Sequence, residues 1–344
     1  MLHHGRRGIL GKAAAPVSEV FAVAHPNTPR IRAWTWTDAT GFGTQYASPE
    51  TLPPDEAKGI AFHPAGDAVA VTSRGSPTIS AYPWSASGFG VRYANPVSLP
   101  SSGSADSSQV RFSPDGTVIM FPIKVSPYIN AWAWSSTTGF GTKYADPAVL
   151  PTAASGAGMG FTPSGDAIAF GAYSAPFVHA YRWSSATGFG TKYANPSTNL
   201  FSPPESLAFA PTGDYIFLGT TTAGYRLLIT RWSSATGFGS DLTSGTEPVT
   251  GGIVFNPVGD TVALGLGGQP GINIHPWSPI TGLGTKYTSP NLGTAGSGVA
   301  WSPSGAFVIV SGRAFPFTPG VGLGTQLATT VSTEAGTVFR KVTI

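Results

Sequence analysis

FTPSGDAIAF, residues 161–170, decides how this chain folds. Pro163 presets one position of a turn, Gly165 can take the positive φ that brings the chain back, and Asp166 caps the turn through its side chain. Pro-x-Gly-Asp therefore reads as a hairpin turn. The run that follows, Ala167-Ile168-Ala169-Phe170, is apolar at every position. A sheet with one wet face would alternate, so this strand must be covered on both faces.

The phrase returns as FHPAGDAVAV from Phe62, FSPDGTVIMF from Phe112, FAPTGDYIFL from Phe209, FNPVGDTVAL from Phe255 and WSPSGAFVIV from Trp301, six copies spaced 46 to 50 residues apart. A second phrase, typified by WSSATGFGTKYANP from Trp183, occurs seven times, at Trp36, Trp84, Trp134, Trp183, Trp232, Trp277 and, with phenylalanine leading, Phe317. A period of 40 to 50 residues built from short strands belongs to propeller blades. In the unit around Trp183, turn signals separate GMGF, DAIAFGA, FVHAYRW and GTKYA, which become strands a, b, c and d. Stacking blades radially covers both faces of each strand b, and its alanines suit close approach between sheets. In strand c the aromatics stand two apart, as in Trp34/Trp36, Tyr82/Trp84, Trp132/Trp134, Tyr181/Trp183 and Phe315/Phe317, so each pair presents one apolar plate to an adjacent blade.

Seven tryptophan phrases against six proline-glycine phrases leave one blade without its strand a. The first tryptophan phrase has strands b and c upstream, SEVFAVAH and RIRAWTW, but no Phe-x-Pro-x-Gly before them. At the other end GTVFRKVTI places Phe339 where Trp301 falls in the preceding unit. The fold expected is all-β: a seven-bladed β-propeller of four-stranded antiparallel blades. Residues 336–344 pair with residues 17–25 and complete the blade begun by 17–50, closing the ring and removing its free edge. Residues 1–16 stand outside the repeat as a basic arm before a single domain, 17–344.

Charged residues are only 10% of the chain and hydrophobic residues 41%. The charged share is far below the roughly 25% of an average soluble domain. Serine, threonine, asparagine, glycine and proline must carry the surface, as in many extracellular, lectin-like and virion proteins. The formal net charge of +3 comes from Arg6, Arg7 and Lys12, which leaves 16 Lys/Arg against 16 Asp/Glu elsewhere. No basic block interleaved with aromatics is present to track a phosphate backbone, so nucleic acid is not an expected partner. The chain has no cysteine, which excludes disulfides, thiolate metal sites and cysteine nucleophiles. No export signal and no membrane span is read in it.

The blade phrases resemble WD40-type β-propeller repeats. Phe-Ser-Pro-Asp-Gly at 112–116 is similar to that family's a–b turn, and the strand-c tryptophan to the first residue of its Trp-Asp pair. Serine stands here in place of that aspartate, and no Gly-His pair precedes strand a. The longer unit, TGFGTKYANP with FSPDG and SPxIxAYPW, resembles WD40-like proteins encoded by tailed bacteriophages, some with an opening similar to MLHHGRRG. That resemblance implies a non-catalytic virion structural, decoration or tail-associated protein. Its partners would be capsid or tail proteins, with contact to the host surface, and its place the virion, assembled in the host cytoplasm. The alternative is a glycan-binding, lectin-like adhesin.

No catalytic constellation is read from the residues. Asp67, Asp115, Asp166, Asp214 and Asp260 recur at turn positions on separate blades, whereas paired acid catalysis needs two carboxylates on one substrate. The histidines fall in different registers or in loops and suggest no metal site, and neither a cofactor nor a metal is expected. GFGT is glycine-rich, but no helix follows it to bind phosphate. Phe42, Phe89, Phe140, Phe189, Phe238, Leu283 and Leu323, with Tyr46, Tyr93, Tyr144, Tyr193 and Tyr287, read as packing between strands c and d. Ligand contacts should differ between blades, because repetition records what the fold requires. The b–c loops look least uniform, and Arg74, Lys124, Tyr128, Tyr173, Phe177 and Tyr225, in or beside them, are the candidate binding residues. Arg6, Arg7 and Lys12 are the candidate anchor.

Overall fold

The computed structural model describes residues 19–99, 109–152, 158–198, 200, 202–220, 227–245, 248–331 and 337–341. They form seven four-stranded antiparallel sheets and no helix. The expected arm 1–16, its Arg6, Arg7 and Lys12, and the candidate Tyr225 lie outside the described residues. Blade 1 takes its strand a from Thr337–Lys341 and its strands b to d from Glu19–Ala24, Ile31–Thr37 and Gly41–Gln45. Blades 2 to 7 follow in chain order, each reading a, b, c, d.

The closure runs in the register that the repeat predicts. Phe339 faces Phe21 across the ladder, as Phe62 faces Val69 and Phe161 faces Ile168 in complete blades. Five residue pairs, from Glu19 with Lys341 to Val23 with Thr337, join the two ends of the chain.

Packing explains the unbroken apolar runs. The core consists of seven clusters, and each spans one interface between adjacent blades. In strand b of blade 2, Val69 and Val71 enter the cluster shared with blade 1, while Ala68 and Ala70 enter the one shared with blade 3. In blade 4, Ile168 and Phe170 face backward, and Ala167 and Ala169 forward. Large residues on one face thus meet small ones on the next sheet, which lets neighbouring sheets interdigitate at native density.

The strand-c aromatic pairs form the predicted plates, all on the face toward the preceding blade. Trp84 meets Phe89 of its own blade at 4.8 Å, Phe62 at 5.3 Å and Tyr46 of blade 1 at 5.0 Å, in each case edge-on. Only half of the c–d aromatic reading therefore stands. The phenylalanines pack against their own blade's tryptophan, but the tyrosines reach across to the next blade: Tyr93 to Trp134 at 5.2 Å, Tyr144 to Trp183 at 5.1 Å, Tyr193 to Trp232 at 5.0 Å. The indole N–H groups of Trp84, Trp134, Trp183 and Trp232 meet no acceptor among the described residues, so these rings are held by edge contacts rather than by a polar network.

The alternation of turns gives the ring two ends. The a–b and c–d turns lie at one, and the b–c turns with the d–a connections at the other.

Candidate functional site

Two of the candidate residues come together at the b–c end. Lys124, in the b–c loop of blade 3, places Nζ 5.6 Å from the ring centroid of Tyr173, in the b–c loop of blade 4. Both side chains are exposed. An ammonium over an aromatic face is a favourable electrostatic contact that still leaves the charge able to meet a ligand.

The other candidates serve the loops themselves. Arg74 pairs with Glu56 at 2.9 Å, and Glu56 also receives Lys58, so that Arg74 pins the connection entering strand a of its own blade. Tyr128 and Phe177 hold equivalent places in one repeated turn, at φ 71° and 64°, each after a proline joined by a cis peptide bond. Their backbones close the loop: Ile123 N–H donates to Tyr128 O at 2.8 Å, and Ala172 N–H to Phe177 O at 2.7 Å. Arg30 and Gly271 repeat that geometry in blades 1 and 6. Four of the b–c loops thus share one turn despite their different sequences. Phe177 also packs against the core between blades 4 and 5.

A third member of the b–c cluster is Glu205, on strand a of blade 5, Pro204–Phe209. Burial raises its carboxyl above the ordinary glutamate range, and the charge of Lys124 offsets part of that rise. No hydrogen bond reaches the carboxylate from the described residues. Lysine, aromatic ring and half-buried acid, drawn from three successive blades, face the same end of the ring. Glu205 stands at a variable position: four residues before the aligned aromatic, blades 2, 3, 4, 6 and 7 have Lys58, Ser108, Ala157, Gly251 and Ser297, and blade 5 alone has an acid. Variation between blades thus marks inner strands as well as loops as places for ligand contacts.

A Ser-His-Asp grouping does exist, at the a–b end. His63 Nδ1 lies 2.6 Å from Asp67, and Ser136 Oγ, from the next blade, lies 2.8 Å from the same carboxylate oxygen and 3.4 Å from Nδ1. Hydrolytic triads put serine and carboxylate on opposite ring nitrogens. Here both crowd Nδ1, and Nε2 is occupied by the Gly116 carbonyl at 3.0 Å. Repetition confirms a structural role: Ser185 donates to Asp115 and Ser234 to Asp166, each at 2.8 Å, across the next two interfaces. Three of the turn aspartates, Asp67, Asp115 and Asp166, expected only to cap their own turns, therefore also clasp the following blade. Among the described residues no group of three histidine, aspartate or glutamate side chains could hold a metal ion.

In sequence, no protein-family model matches the chain and no curated protein is significantly similar to it. In structure, the chain is similar to solved propellers over nearly its whole length. A protein from Bacteroides uniformis, provisionally described as a 6-phosphogluconolactonase, is 14% identical with a TM-score of 0.73, covering 94% of this chain and 99% of that one. The periplasmic gluconolactonase of Pseudomonas aeruginosa is 14% identical with a TM-score of 0.72 over 94% and 99%. A protein of unknown function from Desulfotomaculum acetoxidans is 15% identical with a TM-score of 0.67 over 94% and 99%. At such identities the likeness shows the fold, a seven-bladed β-propeller. It also corrects the expectation of a non-catalytic virion protein: similar propellers bear the names of lactone hydrolases, and nothing in the comparisons carries a phage origin or WD40 identity.

Proposed function

We propose that this propeller hydrolyses a small sugar-acid lactone at its b–c end, with Glu205 as general base. The observation that carries the reading is that the charge of Lys124 acts on the half-buried carboxyl of Glu205 while its ammonium lies over Tyr173, which brings base, electrophile and ring-stacking surface to one place. The names of the gluconolactonase-like propellers supply the substrate class. Lactone opening needs a proton taken from water as its oxygen attacks the ring carbonyl. Glu205 accepts that proton, and the ammonium of Lys124 stabilises the oxyanion. When the ring C–O bond breaks, the proton passes from Glu205 to the departing alkoxide, giving the open hydroxy acid. A carboxyl whose pKa burial raises above the ordinary glutamate range is a stronger base than an ordinary glutamate. Tyr173 offers an apolar face to the sugar's C–H groups.

Acid release from glucono-δ-lactone and its 6-phosphate, followed in a pH-stat against spontaneous hydrolysis, tests the reading. The rate should rise with pH through a midpoint above the ordinary glutamate range. Glu205→Gln should lose at least a hundredfold in kcat while Lys124→Met loses less. Absence of turnover with both lactones, or full activity in Glu205→Gln, overturns it.

A further inference from the structure

The inner strands of blades 2 to 7 enclose a cavity of about 660 Å³ on the ring axis. Its lining includes Pro64, Pro114, Pro257 and Pro303 of the a–b turns and, among the described residues, none from a b–c loop, so it opens at the end opposite Glu205, Lys124 and Tyr173. The walls are mostly apolar, from alanine and valine to phenylalanine and tryptophan, with Ser113 and Ser302 at the turns and, among the described residues, one charged member, Arg111. The position Arg111 occupies, immediately before the aligned aromatic, holds Val338, Ala61, Gly160, Ala208, Val254 and Ala300 in the other six blades. The fold therefore requires something small there, and blade 3 departs from the rule.

Among the described residues Arg111 donates to a single protein acceptor, the carbonyl of neighbouring Val110, at 2.9 Å, and faces no carboxylate. Arg111 is half-buried on the channel wall, where desolvation lowers its pKa to about 10, so it stays charged at neutral pH. A guanidinium amid apolar walls pays for desolvation without a counter-charge, and its planar fork matches a carboxylate in two parallel hydrogen bonds. Pockets of this size and composition, with few polar groups, suit small ligands with an apolar body.

We infer that the a–b end of the channel is a second binding site, taking a small carboxylate with an apolar body and anchoring it on Arg111. The site is separate from the proposed lactone site and does not depend on it. Titration calorimetry of the full chain with sodium octanoate, and with 1-octanol as the uncharged counterpart, tests this. Octanoate should bind at one site per chain and at least tenfold more tightly than octanol. Arg111→Met should lose at least tenfold in octanoate affinity with an unchanged thermal melt, and Arg111→Lys should recover part of it. Glu205→Gln should bind octanoate like the parent, which keeps the two sites distinguishable. Equal binding of octanoate and octanol, undiminished binding in Arg111→Met, or no binding overturns the inference and leaves Arg111 a solvated channel residue.

Discussion

His179 should make this propeller lose stability on mild acidification, by an amount that one substitution can isolate. It lies on strand c of blade 4, Val178–Ser184, is 1% exposed, and tilts against Phe170 with ring centroids 6.1 Å apart. Thr152 donates its backbone N–H to Nε2 at 3.4 Å, while its hydroxyl, 3.3 Å from the same nitrogen, also reaches the Ala175 carbonyl at 3.2 Å. That nitrogen therefore acts as acceptor, and the proton sits on Nδ1, which has no partner among the described residues. Burial, aided by the nearby charge of Lys192, pushes the pKa down to about 4. The unfolded chain titrates near 6.5, so between those values the unfolded state binds the extra proton and stability rises with pH. The contribution is complete above about pH 6.5, falls as pH drops, and is gone near pH 4. A gap of roughly 2.5 units at ~1.36 kcal/mol each amounts to about 3 kcal/mol. Urea unfolding followed by tryptophan fluorescence, at half-unit steps from pH 7.5 to 3.5, should be run on the parent and on His179→Gln. Carboxylates and the other histidines titrate in both and cancel. The parent-minus-variant difference should fall by about 3 kcal/mol across that window. A difference flat to within about 0.5 kcal/mol would refute the reasoning, because a buried neutral imidazole cannot be indifferent to its own protonation.

Two further outcomes follow from the ring's construction. Desolvation alone would raise Asp115, but hydrogen bonds from Ser113, the Thr117 backbone and Ser185 outweigh it and hold the carboxyl down to about 2. Its stabilisation is thus present above about pH 4 and lost as pH falls toward 2; because the side chain is exposed, the amount is about 1 kcal/mol after solvent screening. Ser185→Ala should remove part of that acid-range slope in urea titrations. Ending the chain after residue 336 removes the five-pair ladder on Glu19–Ala24, an expected loss of about 3–5 kcal/mol from backbone hydrogen bonding alone. The exposed strand should also make the protein aggregate in light scattering; a truncated chain that melts like the parent would contradict the closure.

The sequence by itself determined the architecture, because its signals are local. Pro163, Gly165 and Asp166 specify a turn among neighbours, strand b declares two covered faces within four residues, and a spacing of two positions sets the Tyr181/Trp183 plate. Even the closure was legible, since Phe339 repeats a position that six other blades define. Only the tertiary structure decided what crosses between blades. Tyr46 reaches Trp84 rather than its own blade's tryptophan, Ser136 clasps Asp67, and the b–c loops of blades 1, 3, 4 and 6 share one turn. The candidate sites followed the same division. Arg111 breaks the repeat and Glu205 stands at a variable position, and both could be seen in the sequence, but the end of the channel each one faces depends on how the blades stack around the axis. Turn chemistry and side-chain alternation act over a few residues and are written in them; the meeting of Lys124, Tyr173 and Glu205 is a consequence of three sheets packed side by side, which no one blade's sequence contains.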